Sequence, residues 1–93
     1  MVAAIGHLVE ENAMNYAFIL STCSPGAVEL LRAVAAERVV AEPMSAEFGR
    51  RHGLRAASSV RFALDSLLKD ELLYRRDDGY VVYDRLFAVW LRS

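Results

Sequence analysis

The fold is decided by residues 52–93, which read HGLRAASSVRFALDSLLKDELLYRRDDGYVVYDRLFAVWLRS. Within this stretch, apolar residues recur at three- and four-residue steps over residues 57–70, which is the period of an amphipathic helix. The side predicted to face a core carries Ala57, Val60, Leu64, Leu67 and Leu68. The opposite side carries Ser58, Phe62, Ser66 and Lys69, and we expect any function of this helix to lie there.

A hairpin and a short helix are predicted after this segment. Residues 72–76 and 80–83 have the composition of strands, and Asp77-Asp78-Gly79 between them carries the Asp-Gly signal of a tight turn. Asp84 can cap a last helix over residues 85–92. Phe87 and Trp90 lie on its apolar stripe, and we predict that they cap the core of the domain. Docking of this stripe onto an adjacent domain is the alternative.

The residues just before this stretch supply the other half of a helix-turn-helix. Ser45 can cap a short helix over 46–52, and Phe48 is predicted to point inward from it. Gly53 then ends the helix in a left-handed conformation, and Leu54 turns into the core. This Gly-Leu turn is typical of the turn in a helix-turn-helix unit.

Two further helices are predicted nearer the N-terminus. Apolar residues recur at helical spacing over residues 2–20. Ser24 can cap a second helix over residues 25–37, with Pro25 at its first position. Residues 39–41 are predicted to form a short strand.

Together these elements predict an α+β fold that is mostly helical. It is a winged helix-turn-helix with a two-stranded wing, an extra N-terminal helix and a short C-terminal helix. The chain has 93 residues, the size of one domain. We expect residues 1–22 to form the N-terminal helix and residues 23–93 to form the winged-helix domain.

The charge of the chain is unevenly distributed. The formal net charge is −1, so the chain has no global basic character that would indicate nucleic acid. Met1–Glu47 contains two arginines against six glutamates, whereas Phe48–Ser93 contains nine basic residues against six acidic ones. This asymmetry predicts a polyanion or an acidic partner for the second half.

The number of cysteines and the distribution of apolar residues predict the cellular compartment. Cys23 is the single cysteine, so no internal disulfide can form and a reducing cytoplasm is favoured. No apolar run approaches the roughly 20 residues of a membrane span, and acidic residues come early in place of a basic leader. We therefore expect a cytoplasmic protein that has no membrane partner.

No catalytic or metal site is predicted. His7 and His52 are the only histidines. A solvated side chain is the favoured interpretation of His7, and the arginines beside His52 would repel a cation. Cys23 has no predicted base near it, and Asp77-Asp78 is typical of a turn. We expect no catalytic, metal-binding or cofactor-binding residue in this chain.

Five segments have residues and spacings that are similar to those of a known family. They are Pro43–Phe48, His52–Val60, Ala63-Leu64, Leu67-Leu68 and Gly79–Leu91. In this combination they resemble the C-terminal winged-helix region of prokaryotic AAA+ (STAND-like) ATPases. There a tyrosine-rich wing leads into an Asp-aromatic-Trp-Leu helix, as Tyr83-Asp84 leads into Trp90-Leu91 here. The resemblance covers residues 24–93 well and residues 1–22 loosely, where the family has the end of its ATPase lid.

The chain departs from this family at two points. The family often has Ser-Pro where Ala56-Ala57 stand here, so a helix cap of about 1 kcal/mol is lost. The phosphate-loop pattern G-x-x-x-x-G-K-[ST] does not occur, so the 93 residues cannot bind ATP by the family's mechanism. The resemblance implies a fragment whose ATPase domain, in the same polypeptide, would bind ATP and Mg²⁺. A free-standing relative of such a tail is the alternative.

The outer side of the second helix of the unit is the candidate contact surface. The segment from residue 48 to residue 64 contains four arginines and no acidic residue. With nearby serines, a lysine and the wing arginines, the candidate partner or DNA contacts are Arg50, Arg51, Arg55, Ser58, Ser59, Arg61, Phe62, Lys69, Arg75 and Arg76. Arginines and free N–H groups at a helix start could hold phosphates in the helix-turn-helix docking mode.

Phe62 lies in the middle of this surface. A protein that reads bases in the DNA major groove would carry Arg, Asn or Gln at this position. Asp65 and Asp70 flank it and would repel phosphate, and Asp77 and Asp78 offset the wing arginines. An exposed aromatic residue among arginines is typical of protein interfaces. We predict an unidentified protein as the partner, with duplex DNA as the alternative. A third possibility is a homodimer in which the second copy covers an apolar face of the N-terminal helix.

Overall fold

The computed structural model describes residues 12–93. They form five helices and one antiparallel hairpin. In chain order the elements are α1 (Ala13–Ser21), α2 (Pro25–Glu37), α3 (Ala46–His52), α4 (Ala57–Lys69), β1 (Leu73–Arg76), β2 (Gly79–Val82) and α5 (Arg85–Arg92). This mostly helical winged helix-turn-helix confirms the predicted fold class.

The predicted helix caps are present. The Ser24 hydroxyl accepts a hydrogen bond from the Ala27 N–H at 3.2 Å, and Ser45 accepts one from the Phe48 N–H at 3.2 Å. Asp84 accepts from the N–H groups of Leu86 and Phe87 at 2.9 and 3.2 Å. These side chains satisfy amides that no earlier turn can reach, so each fixes where its helix begins.

Helix α2 is the centre of the domain, because it packs against α4, α5 and β2. Leu30, Leu31 and Val34 are almost fully buried on it. The other helices and the hairpin cover α2 with the buried side chains Phe48, Val60, Ala63, Leu64, Leu67, Leu73, Val82, Phe87 and Leu91. The core is therefore one contiguous cluster around a single helix.

The turn between α3 and α4 has the predicted geometry. Gly53 has φ +63°, and the Leu54 N–H donates to the Gly49 carbonyl at 2.8 Å, which closes the end of α3. Leu54 is half-buried and packs against the core. Phe48 is 1% exposed and holds α3 onto the domain.

The wing is a short hairpin in which Leu73 pairs with Val82 and Arg76 with Gly79. The strand predicted for residues 39–41 is reduced to one bridge, in which Val40 and Tyr80 exchange backbone hydrogen bonds of 3.0 and 2.8 Å. Arg38 adopts φ +72° just before it, which bends the chain out of the extended conformation that a longer strand would need.

Tyr16 is the buried residue by which helix α1 joins the core, and Ile19 and Leu20 pack against it partly buried. The Tyr16 ring stacks on Phe87 at 5.0 Å between centroids and lies 5.6 Å from Trp90. Phe87 is buried and Trp90 packs partly buried against the cluster, which confirms that both cap the core. Most of the helix predicted for residues 2–20 lies outside the described residues; the described part ends at Ser21.

The predicted orientation of one residue of α4 was wrong. Ala57 was expected to face the core, yet the first turn of α4, residues 57–59, is exposed throughout and burial begins at Val60. Ala63 takes the inward position on the next turn.

Within residues 12–93, every helix is too short or too polar to cross a lipid bilayer.

Candidate functional site

The exposed side of α4 is the candidate site. We call it the α4 face, and its residues are Ser58, Ser59, Arg61, Phe62, Asp65 and Lys69, all of them exposed. Phe62 is the largest apolar side chain on it and is 78% exposed. Because its apolar neighbours in sequence turn inward to α2, Phe62 stands among polar and charged groups.

The start of α4 lacks a side-chain cap. Ala56 occupies the N-cap position and makes no side-chain hydrogen bond, as the sequence predicted. Ser58 and Ser59 lie in the first turn with exposed side chains. This leaves the first turn accessible to a ligand or partner.

The four arginines between residues 48 and 64 form a basic cluster, and three of them are already paired. Arg51 makes a bidentate ion pair with Glu37, at 2.6 and 3.0 Å, and a further one with Glu47 at 3.0 Å. Arg55 pairs with Glu29 at 3.2 Å, and Arg61 lies 3.7 Å from Asp65. Within residues 12–93, Arg50 is the cluster member that has no ion pair.

These pairs change the electrostatics that the sequence predicted. The segment from residue 48 to residue 64 has no acidic residue, but Glu29 and Glu37 approach it from α2, which lies beside it in space. The basic cluster is therefore largely neutralised by carboxylates from other elements. Sequence reasoning missed both glutamates because they lie 26 and 14 residues from their arginines.

Glu37 ties the end of α2 to α3. Besides Arg51, its carboxylate contacts the Nε2 atom of His52 at 2.5 Å, and the His52 ring lies 4.8 Å from the Phe48 ring. Hydrogen bonding by Arg51 first, and by His52 second, holds the pKa of Glu37 below its ordinary value. His52 is therefore a packing residue bound to a carboxylate.

Replacement of Glu37 by Gln should remove part of the stability in a pH-dependent way. A carboxylate whose pKa is lower in the folded state stabilises the fold above its unfolded pKa, and that contribution disappears as pH falls through the folded value. We expect Glu37→Gln to melt at a slightly lower temperature than the wild type at pH 7. The two proteins should converge once the pH falls below the folded pKa of Glu37, where the carboxyl group is protonated. Thermal unfolding followed by circular dichroism measures both.

The matched control is Glu42→Gln. Glu42 is exposed and makes no ion pair with any residue between positions 12 and 93. Its replacement should leave the melting temperature unchanged at both pH values. An equal effect of the two substitutions would show that general charge, and not the contact with Arg51, is responsible.

The wing contains a further arginine that is paired with a carboxylate. Arg76 pairs with Asp78 at 2.8 Å, and this contact lowers the pKa of Asp78. Arg75 lies with its guanidinium 6.0 Å from the centre of the Tyr80 ring and has no ion pair among the described residues. Since α4 packs against β1, the wing lies beside the C-terminal part of α4.

The remaining candidates show no arrangement typical of catalysis. The Cys23 thiol is partly buried and donates to the Ile19 carbonyl at 3.4 Å; burial raises its pKa, which lowers its reactivity. Asp77 and Asp78 form the hairpin turn. No group of three His, Cys, Asp or Glu side chains within residues 12–93 could hold a metal ion. His7 lies outside the described residues.

A helix-turn-helix followed by a hairpin wing over one core defines a winged helix. A family model described as a probable winged helix domain matches residues 14–93, and the chain belongs to this family. No curated protein and no solved structure matches the chain significantly.

Proposed function

We propose that this chain is a non-catalytic winged-helix module that binds another protein through the α4 face. The observation that carries the proposal is Phe62, an aromatic side chain 78% exposed in the middle of that face. Burial of a whole phenylalanine side chain contributes roughly 1.5–3 kcal/mol, which a protein partner with an apolar pocket would recover. Aromatic residues and arginines are also the residues enriched at protein interfaces.

The paired arginines support a protein partner over a nucleic acid. A phosphate contact by Arg51 or Arg55 would compete with the carboxylates of Glu37 and Glu29. DNA affinity depends on the number of phosphates that free cations neutralise. A cluster that is already neutralised loses most of this term, whereas a hydrophobic contact at Phe62 does not depend on it.

We further propose that the module is the C-terminal part of an AAA+ ATPase in the cytoplasm. The resemblance of residues 24–93 to such tails supports this assignment. ATP and Mg²⁺ would be bound by the ATPase domain of the same polypeptide, and the module would relay its nucleotide state to the partner. Sequencing of the coding DNA upstream of Met1 tests this. An open frame that leads back to a glycine-rich phosphate loop supports it, and a stop codon directly upstream contradicts it.

Phe62→Asp should abolish partner binding without unfolding the domain. An exposed side chain contributes little to stability, so the free energy of unfolding should change by less than about 0.5 kcal/mol. Loss of a central aromatic contact of at least 2 kcal/mol corresponds to a fall in affinity of roughly 30-fold or more. Proteins retained from a cell extract on the immobilised domain, quantified by mass spectrometry, give the measurement.

Phe18→Asp is the matched control. Phe18 is 67% exposed on α1, so the same substitution is made at a similar exposure on another element. We expect the specifically retained proteins to be unchanged by Phe18→Asp and lost with Phe62→Asp. Equal retention by the Phe62 variant and the wild type would overturn the proposal.

Duplex DNA is the second candidate, and Arg50 and Arg75 favour it because they have no ion pair among the described residues. Arg50 lines one cavity together with Ala57 from the uncapped first turn of α4, and Arg75 lies on strand β1 of the wing. DNA binding would appear as duplex affinity that falls steeply between roughly 50 and 200 mM salt. Substitution of Arg50 and Arg75 would flatten that slope. Absence of binding at the lower salt concentration would exclude this candidate.

A further inference from the structure

A groove separate from the α4 face runs between the end of α2, the end of β2 and α5. Its volume is about 590 Å³, within the range of binding pockets. The lining residues are Ala35, Arg38, Val82, Arg85, Leu86, Ala88, Val89 and Arg92. None of them belongs to α4, so the groove and the α4 face are independent surfaces.

The rim of this groove is basic. Its charged lining residues are the three arginines, and within residues 12–93 no acidic side chain lines it. Arg38 and Arg85 are exposed and make no ion pair with any described residue. The Arg92 guanidinium donates from Nη1 to the Ala35 carbonyl at 3.2 Å, which holds it at the edge of the groove.

Several arginines elsewhere in residues 12–93 are paired with carboxylates, although Arg50 and Arg75 are not. Arg51, Arg55, Arg61 and Arg76 each have a carboxylate partner. Asp84, the acidic residue next to Arg85, accepts two hydrogen bonds from the first turn of α5. The three arginines that line the groove therefore make no ion pair with a carboxylate of the described residues.

Arg38 also occupies an unusual backbone position. It ends α2 with φ +72°, a conformation in which a residue other than glycine or asparagine carries strain. Its N–H donates to the Val34 carbonyl at 2.8 Å. Glycine would adopt this conformation without that strain.

The remaining lining residues are apolar, and we call them the floor of the groove. They include Val82, Leu86 and Val89. An occupant that satisfies both parts carries anionic groups around one or two apolar side chains, and in a protein segment these anions are the carboxylates of Asp and Glu. We propose that this groove binds an acidic segment of a partner protein, with apolar side chains on the floor and flanking Asp or Glu residues on Arg38, Arg85 and Arg92. It is a second interaction site, beyond the one at Phe62.

Selection from a displayed library of random peptides tests this. The bait is the full 93-residue chain, and peptides that also bind the bare support are removed before the selected ones are tested on the double variant Arg38→Glu/Arg85→Glu. We expect the selected peptides to be enriched in Asp and Glu around Leu, Ile or Phe. Their affinity, measured by fluorescence anisotropy, should fall on the order of tenfold or more with the double variant, because like charges then face each other.

Charge-reversed peptides and a Phe62 variant complete the test. Replacement of the acidic residues of a selected peptide by lysine should abolish binding to the wild type and restore it with Arg38→Glu/Arg85→Glu. Phe62→Asp should bind the selected peptides normally, whatever its effect on other partners. Three results would overturn the proposal: selected peptides without acidic enrichment, equal affinity for the double variant, or loss of binding with Phe62→Asp. Circular dichroism confirms that each variant is folded.

Discussion

Phe87→Ala should destabilise the domain more than any surface substitution. Phe87 is 2% exposed, and its ring stacks on Tyr16 at 5.0 Å and on Trp90 at 6.0 Å. Removal of a buried aromatic side chain costs roughly 3–5 kcal/mol, through lost burial and the cavity that remains. A domain of this size has a total stability of about 5–15 kcal/mol. We therefore expect a large fall in the urea midpoint.

Phe62→Ala is the matched comparison for this result. It removes the same side chain from a position that is 78% exposed. Its effect on the free energy of unfolding should be less than about 0.5 kcal/mol. If the two substitutions cost the same, α5 does not cover the core in solution, and the packing of Tyr16 between Phe87 and Trp90 would be wrong.

Gly79→Ala should cause the second largest loss of stability, because it breaks the contact between the wing and the segment around Val40. Gly79 has φ +141°, and a Cβ atom there would lie 2.6 Å from the Val40 carbonyl oxygen and 2.9 Å from the Ala41 nitrogen. Backbone atoms cannot move aside as a side chain can. The strained conformation and the loss of the Val40–Tyr80 bridge together should cost roughly 2–4 kcal/mol in urea unfolding.

Gly49→Ala provides the control for a glycine without such a neighbour. Gly49 lies inside α3, and a Cβ added there meets nothing within 4 Å. Alanine should stabilise the helix by roughly 0.5–1 kcal/mol. Loss of stability at both positions would mean that the effect at Gly79 does not come from its contact with Val40.

The local signals in the sequence predicted most of the fold. Ser24, Ser45 and Asp84 cap the helices that they were expected to cap, and Gly53 ends α3 in the left-handed conformation. The hairpin turn lies at Asp77-Asp78-Gly79 as predicted. Each of these features depends on residues within four positions of one another. The local sequence is therefore enough to predict the cap, the helix end or the turn.

What the sequence did not predict depends on contacts between distant residues. Glu29 and Glu37 reach the arginines near α4 only because α2 packs against that helix. The strand at residues 39–41 shrinks to one bridge because Arg38 turns the chain beforehand. The basic groove combines arginines from the end of α2 and from both ends of α5. Charge pairing of this kind appears only once the elements are assembled, so the sequence predicted the contact residues without their carboxylate partners.

The central position of α2 has a consequence for the order in which the domain can form during synthesis. Its buried face is covered by α4, β2 and α5, and all three follow it in the chain. Arg92 contacts Ala35 across 57 residues, which takes a ribosome roughly 3 to 11 seconds to make. For that time Leu30, Leu31 and Val34 lack their final neighbours. Nascent α2 is therefore the segment of this domain that most needs protection from aggregation.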